Sequence, residues 1–450
     1  MYNVSVSITT DTINTKGEAT MKVTRTAQKI NLDNIVDISV DVHKDTLCFF
    51  FEIDGTEFSD TCSNRTTIIE KRLITYRDIA LEHGRKGLRI ICEPTGQFQN
   101  KLKLMRTARR LGFFTNYVNA ESVAKFRVVE TNDNNKTDKK DPRVINTLGK
   151  LNKVIRFRMI GEKYLMLRKL HKIYDECDVA ITSHRCRISK LLVELFCDYS
   201  FKKDFLYSNS GLALVAQYGC NPYRIVDDGY QIFCRKMRKA APRIMSRTLE
   251  RLWEDANSSV LNVLPPGYVQ VLEQYLYDRL DDYFHVLERK EKITEQMVEI
   301  LEKLRQEDPL IPPPTPHVIS EKNLARLLAE TGPLSDFANW RKLMRYAGLN
   351  LKTRQSGTYQ GQNKISKKGR KLLRKVLQAI ALPLVKKGRL YGEFYHKKKD
   401  ETKMPGNKAM TIVARHLLKK IFGWYRSGEA FDERRFFTCQ SRYETMAKAA

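Results

Sequence analysis

The chain has 450 residues, long enough for two to three domains with cores of their own. Its 80 Lys and Arg stand against 52 Asp and Glu, a formal charge of +28 that exceeds what solubility requires and points to a nucleic-acid partner. No apolar run reaches membrane-span length, the first residues lack a signal-peptide core, and nine cysteines are scattered without zinc-site spacing; this predicts a soluble, intracellular protein with free thiols in a reducing cytoplasm.

Residues 1–32 are polar and Thr-rich, which predicts a loosely held arm. The stretch Ile35–Phe51, IVDISVDVHKDTLCFFF, reads as a strand, a tight reversal and a second strand. A carboxylate on a sheet strand is costly to bury unless it is paired or bound to a cation. Asp41 therefore either faces a partner or sits solvated at the strand end. Asp54–Gly55 marks a hairpin turn, after which Thr56–Cys62 returns as a third strand. Thr67–His83 follows as a helix stopped by Gly84, then Leu88–Cys92 as a short buried strand. Glu93 comes directly after it and is fixed at the strand end by Pro94. Gln97–Leu111 is the next helix and Phe114–Val118 a fifth strand, so the N-terminal part is α/β with ligands expected at strand ends.

After the polar tract 131–135 come Asp138 and Asp141, which share a face at a helix start. Spacing alone favours a helix cap. The alternative is a shared ion, because four acids at element ends of one α/β unit are how carboxylates converge on Mg²⁺.

Between about 155 and 309 the character is helical. One apolar seam runs from Leu167 through Tyr174, His184 and Ile188 to Leu195, and another from Leu276 to Leu304 with a break after Leu287. The seams can pair with each other or across subunits, with His184 packed or facing the partner. Residues 201–267 interrupt them as a helical insertion whose basic run Arg235–Arg247 is either RNA-contacting or a solvated face. Leu310–Pro316 reads as a stiff proline linker and a domain boundary. Beyond it, Glu321–Glu330 and Trp340–Tyr346 are helices, Ser366 can cap a helix starting near Lys367, and Thr411–Arg426 is a closing helix. Leu351–Gly392 holds 12 Lys and Arg and no acid, a field best explained by phosphate-backbone binding. Within it Ser356 is either a solvated turn residue or a hydroxyl whose alkoxide the surrounding cations would stabilise.

VDVHKDTL around Asp41, ICEPTG around Glu93 and NNKTDKKD around Asp138 and Asp141 resemble the three blocks of DEDD-type insertion-sequence transposases. This is the insertion-sequence-110 family, with its Piv-type invertases and RNA-guided bridge recombinases. RYAGL at Arg345–Leu349, RQSG and ISKKGRKLLR resemble its C-terminal transposase domain, although Pro316–Asn323 lacks that domain's usual Gly-rich hairpin.

The resemblance implies an α/β RNase H-like (RuvC-type) domain at 33–152, a helical coiled-coil region at 153–309, and the linker 310–316. A mainly α-helical C-terminal transposase domain at 317–432 and a tail at 433–450 complete it. It assigns Mg²⁺, with Mn²⁺ as a substitute, to Asp41, Glu93, Asp138 and Asp141, with Asp37 a competing candidate on the same strand. It makes Ser356 the nucleophile of a DNA transposase or recombinase working through a phosphoserine intermediate, in a homodimer or homotetramer carrying a structured guide RNA. The expected nucleic-acid contacts are Arg354, Lys364, Lys367, Lys368, Arg370, Lys371, Arg374 and Lys375. The rival readings are a metal-dependent nuclease or junction resolvase with water as nucleophile, and a non-catalytic binding protein whose acids are caps.

Overall fold

The polar stretch at the start of the chain pairs with itself: β1 (Tyr2–Thr9) and β2 (Lys22–Lys29) form an antiparallel hairpin. Its Thr- and Val-rich sequence favours strands, which composition read as a polar arm did not reveal. The computed structural model describes residues 2–9, 22–29, 34–94, 98–131, 140–202, 204–315, 318–352, 355–356, 359–361, 364–389 and 391–428. They fall into two compact units, Met1–Met159 and Ile160–Ala450.

In the first unit β3 (Ile35–Val42), β4 (Thr46–Ile53) and β5 (Thr56–Ser63) form an antiparallel meander. Its second reversal is the expected Asp54–Gly55 turn, both residues at positive φ. Then come α1 (Thr66–Glu82), β6 (Gly87–Cys92), α2 (Phe98–Arg110), β7 (Phe114–Val118), α3 (Ala120–Thr131), α4 (Lys140–Lys150) and β8 (Val154–Arg156). The sheet order is β5-β4-β3-β6-β7-β8, with β3, β6 and β7 parallel and the rest antiparallel to their neighbours. Side chains alternate across a strand. Val36, Ile38 and Val40 accordingly pack with Leu73 and Leu104 of α1 and α2, whereas Ile91 of β6 packs on the other face with Val144, Ile145 and Leu148 of α4. Asp37, Ser39 and Asp41 belong to that second face.

The second unit is built on two long helices, α5 (Glu162–Leu195) and α9 (Pro266–Glu307). They run antiparallel: Lys163 pairs with Glu307, Asp178 with Lys290 at 2.6 Å, and Tyr268 bonds Glu194. The two apolar seams thus face each other within one chain, and His184 lies on that contact, 3.9 Å from Asp282.

Between α5 and α9, a short 3-10 turn (Phe205–Tyr207), α6 (Asn209–Tyr218), α7 (Pro222–Ala240) and α8 (Ser246–Ser259) make the expected helical insertion. Phe233, Met237, Leu249 and Leu252 join Ile188 and Leu276 in its core. The described part of the expected linker, 310–315, lies inside this unit rather than between units: Ile311 is 3% exposed and packs with Leu304 and Ile319. Proline stiffens a segment but does not keep an adjacent isoleucine out of a core.

The chain then forms α10 (Glu321–Thr331), α11 (Trp340–Tyr346), and the two-residue strands β9 (Leu351–Lys352), β10 (Gln355–Ser356), β11 (Tyr359–Gln360) and β12 (Lys364–Ile365). It ends in α12 (Lys371–Leu384), α13 (Gly392–Asp400) and α14 (Gly406–Ser427), whose Leu377, Ile380, Val413 and Leu417 share a core with Leu324, Leu328 and Leu301. The expected tail 433–450 lies outside the described residues. No helix among the described residues is long and apolar enough to cross a membrane, and the eight described cysteines are all free thiols.

Candidate active site

Topology brings three of the expected acids to one end of the first unit's sheet. β3 and β6 run parallel with Val40 beside Cys92, so the next residues along, Asp41 and Glu93, leave adjacent strand ends together. The direction of α4 supplies the third. Asn146 donates to the Asp37 carbonyl at 2.7 Å, and a methyl on Gly149 would meet the Asp37 carboxylate at 2.9 Å, which puts the end of α4 beside the start of β3. Further back along α4, Arg143 lies over Phe50, the partner of Ser39. The helix therefore runs against β3, and Asp141 in its first turn lies toward the Asp41 end.

Asp41 is 8% exposed and Asp141 1%. Burial at that level demands positive charge or hydrogen-bond donors nearby. His43 Nε2 is 3.3 Å from Asp41, and Arg127 of α3 donates to Asp141 from Nε at 2.8 Å and from Nη2 at 2.6 Å. Asp138 lies outside the described residues. In donor type, all hard carboxylate oxygen, and in placement at one sheet end, these acids fit a magnesium ion. Among the described residues no three such side chains are gathered into a ready ion site, and Arg127 is the cation holding Asp141.

Asp37, the competing acid, is spoken for elsewhere. It sits opposite Arg89 in the β3–β6 register and takes two bonds from that guanidinium, one at 2.5 Å. Arg89 also donates to the Gly149 carbonyl at 3.0 Å, so the pair ties β3, β6 and α4 at the end remote from Asp41.

In the second unit Ser356 is exposed on β10, whose partner is β11. The outer strands β9 and β12 pair below it as a stem. At the root Ser366 donates from its backbone to the Asn350 carbonyl at 2.8 Å and from Oγ to the Asn350 side chain at 2.6 Å. Ser366 does not cap the next helix: Lys367 adopts φ 54°, the chain turns, and α12 begins only at Lys371.

The expected nucleic-acid cations divide in two. Lys364, Lys367, Lys368 and Lys371 are exposed. Arg370 and Arg374 are half-buried and bonded within the fold, and Lys375 is exposed but paired. Arg370 donates to Glu330 at 2.7 Å, Arg374 to the Ala347 carbonyl at 3.0 Å, and Lys375 to Asp175 of α5. Arg354 lies outside the described residues.

Glu330 is the centre of that root. It is 1% exposed and also takes His171 Nδ1 of α5 at 3.1 Å. Burial works to raise its pKa, but the hydrogen bonds from His171 and Arg370 outweigh it and hold the carboxyl down at about 2. The sequence carried one overlooked signal for this network: an acid inside the otherwise apolar run of α10, four residues after Arg326. Nothing local in the sequence marked Arg127 or the Asp37–Arg89 pair, whose partners are 14 and 52 residues away.

Two family models match the chain and together span a little over half of it. A DEDD transposase model of the IS110 type matches residues 38–197, the stretch that holds Asp41, Glu93, Asp138 and Asp141. A second, described as the transposase IS116/IS110/IS902 family, matches residues 317–396, the stretch that holds Ser356 and the basic field. No curated protein matches. Residues 198–316, with the helical insertion, lie outside both matches.

Proposed function

Because the chain belongs to the IS116/IS110/IS902 family of transposases, and so acts on DNA as a transposase or recombinase, we propose that it cuts and rejoins DNA through a phosphoserine link formed by Ser356. The observation that carries this reading is the setting of that serine. It is exposed on a small β-hairpin beside Lys364, Lys367, Lys368 and Lys371, and the hairpin's root is fixed by a buried ionic network.

The serine Oγ gives up its proton as it bonds to phosphorus; the bond from phosphorus to the leaving DNA oxygen breaks, and that oxygen takes a proton. The lysine ammonium groups hold the phosphate and offset the charge that grows on its oxygens in the transition state. Asp41, Glu93, Asp138 and Asp141 would hold Mg²⁺, or Mn²⁺ in its place, which when bound polarises a phosphate oxygen as a Lewis acid. Rejoining reverses the step, with a DNA hydroxyl displacing Ser356.

The same reading makes the first unit an RNase H-like domain, supported by its order of an antiparallel meander followed by parallel strands. It makes α5 and α9 a coiled coil joining protomers into a homodimer or homotetramer, with a structured guide RNA as second partner and the cytoplasm as location. The acids stand on one compact unit and the serine on the other.

The test is Ser356→Ala. Wild type incubated with its DNA and denatured should retain a covalent protein–DNA adduct, and the variant should lose it together with on the order of 10³-fold or more in strand-cutting rate. A variant that still cuts at the wild-type rate would establish water as the nucleophile.

A further inference from the structure

The helical insertion carries a cluster of cations that nothing in the proposed chemistry uses. From Arg235 to Leu249 there are six basic residues and no acid, and all six are exposed. They sit on the end of α7, the start of α8 and the turn between them, which Arg238 closes by donating to Ser246 Oγ at 3.1 Å. Lys236 is paired with Asp228 at 2.6 Å. Arg235, Lys239, Arg243 and Arg247 remain facing solvent as a group. The corner is rigid, because Met237, Ile244 and Leu249, which alternate with these cations, are buried in the insertion's own core.

Duplex DNA is the occupant that fits this charge, because the family matches make DNA the polyanion this chain acts on. The basic field around Ser356 is fastened to α5 through Glu330 at His171, while the insertion packs at the other end of the same helix, around Leu195. Those two points are 24 residues apart on one continuous helix, a rise of about 36 Å. The two basic surfaces therefore belong to the same compact unit, each fastened to α5 at a different point. Free solvation does not explain the absence of acids from 235 to 249.

We propose that the α7–α8 corner is a second phosphate-binding surface that grips duplex DNA beside the segment acted on at Ser356. It rests on the DNA-recombinase reading for its partner but not on the serine chemistry, and it lies outside the part of the chain that either family match covers. Recognition is by charge: Arg and Lys neutralise backbone phosphates and release condensed counterions, without reading bases.

The test uses the full chain carrying Ser356→Ala, so that binding is measured without chemistry. Its affinity for a long mixed-sequence duplex is followed against salt concentration, with and without Arg235→Ala, Lys239→Ala, Arg243→Ala and Arg247→Ala together. Each phosphate contact contributes about 0.9 to the slope of log affinity against log salt, so the combined variant should lose about 2 to 4 units of slope and its footprint should shorten at one end. Lysine at positions 235, 243 and 247 should keep the slope, which separates lost charge from lost folding. An unchanged slope and footprint would overturn the proposal while leaving the serine reading intact, and so would a slope change seen on structured RNA but not on duplex DNA. Failure of the Ser356→Ala protein to bind duplex at all would overturn the proposal and the recombinase reading together.

Discussion

At the scale of single residues, buried charge separates structural acids from candidate catalytic ones. Asp37 and Asp41 stand on one face of one strand, and from the sequence both were eligible; the Arg89 guanidinium opposite Asp37 is what distinguishes them. Arg127 does for Asp141 what an ion would do. Replacing it with alanine leaves a 1% exposed carboxylate without that guanidinium, so Arg127→Ala should cost about 3 kcal/mol of stability in chelator. Millimolar Mg²⁺ should return part of this in thermal unfolding; no recovery would argue that Asp141 is structural.

Glu330 makes a pH prediction of definite sign. Its folded pKa, about 2, lies below the ordinary 4.5, so its contribution is complete above about pH 4.5 and is lost as pH falls through 2. Glu330→Gln should flatten that acid limb of the stability curve and lower stability near neutrality by on the order of 3 kcal/mol. Asp41 stands near the end of β3, Glu93 just past β6 and Asp141 in the first turn of α4, element ends that strand and helix patterning makes legible in the sequence. The partners that control them were not legible, since contacts between residues on different elements leave no periodic trace.

At the scale of elements, most boundaries followed from periodicity and turn chemistry. β3 to β7 and α1, α2, α5, α9, α10, α11 and α14 lie close to where apolar spacing and Gly or Pro signals put them. The failures have local causes. β8 is three residues long, too short for any pattern to show. The start of α12 was misplaced because a left-handed turn at Lys367 intervenes between a plausible cap and the helix. That turn exists because two backbones touch: a methyl on Gly369 would fall 2.4 Å from the Gly348 amide nitrogen and 2.5 Å from the Tyr346 carbonyl. Gly369→Ala must therefore push the root of the Ser356 hairpin away from α11. Hydrogen exchange should quicken at the amides of Ser366 and Lys367, which bond across this contact, while the first unit stays unaffected. In the long pair, Leu167 is fully buried between α5 and its neighbours. Leu167→Ala should lower the unfolding free energy of the second unit by about 3 kcal/mol in a denaturant titration.

At the scale of the whole molecule, the charge of +28 was the plainest statement the sequence made, and the structure shows how it is divided. Part of it, such as Arg370, Arg374 and Lys375, is consumed in holding helices together, so a count of basic residues overstates the number of phosphate contacts. With both the hairpin lysines and the insertion engaged, affinity for non-specific duplex should fall by on the order of 10³-fold or more between 50 and 200 mM salt, measured by fluorescence anisotropy. A fall of only a few fold would mean that one surface at most is used. The proline-rich stretch shows the limit of reading domains from composition: it reads as a stiff linker at a domain boundary, yet Ile311 pins it into a core. The antiparallel course of α5 and α9 has one further consequence. The chain leaves Leu195 and re-enters at Pro266 at the same end of the pair, so the insertion is a head on a handle, and it grips that handle through Ile188, Leu276 and Leu280. A head grafted onto another such handle should therefore fold only when the matching stretch of both long helices travels with it.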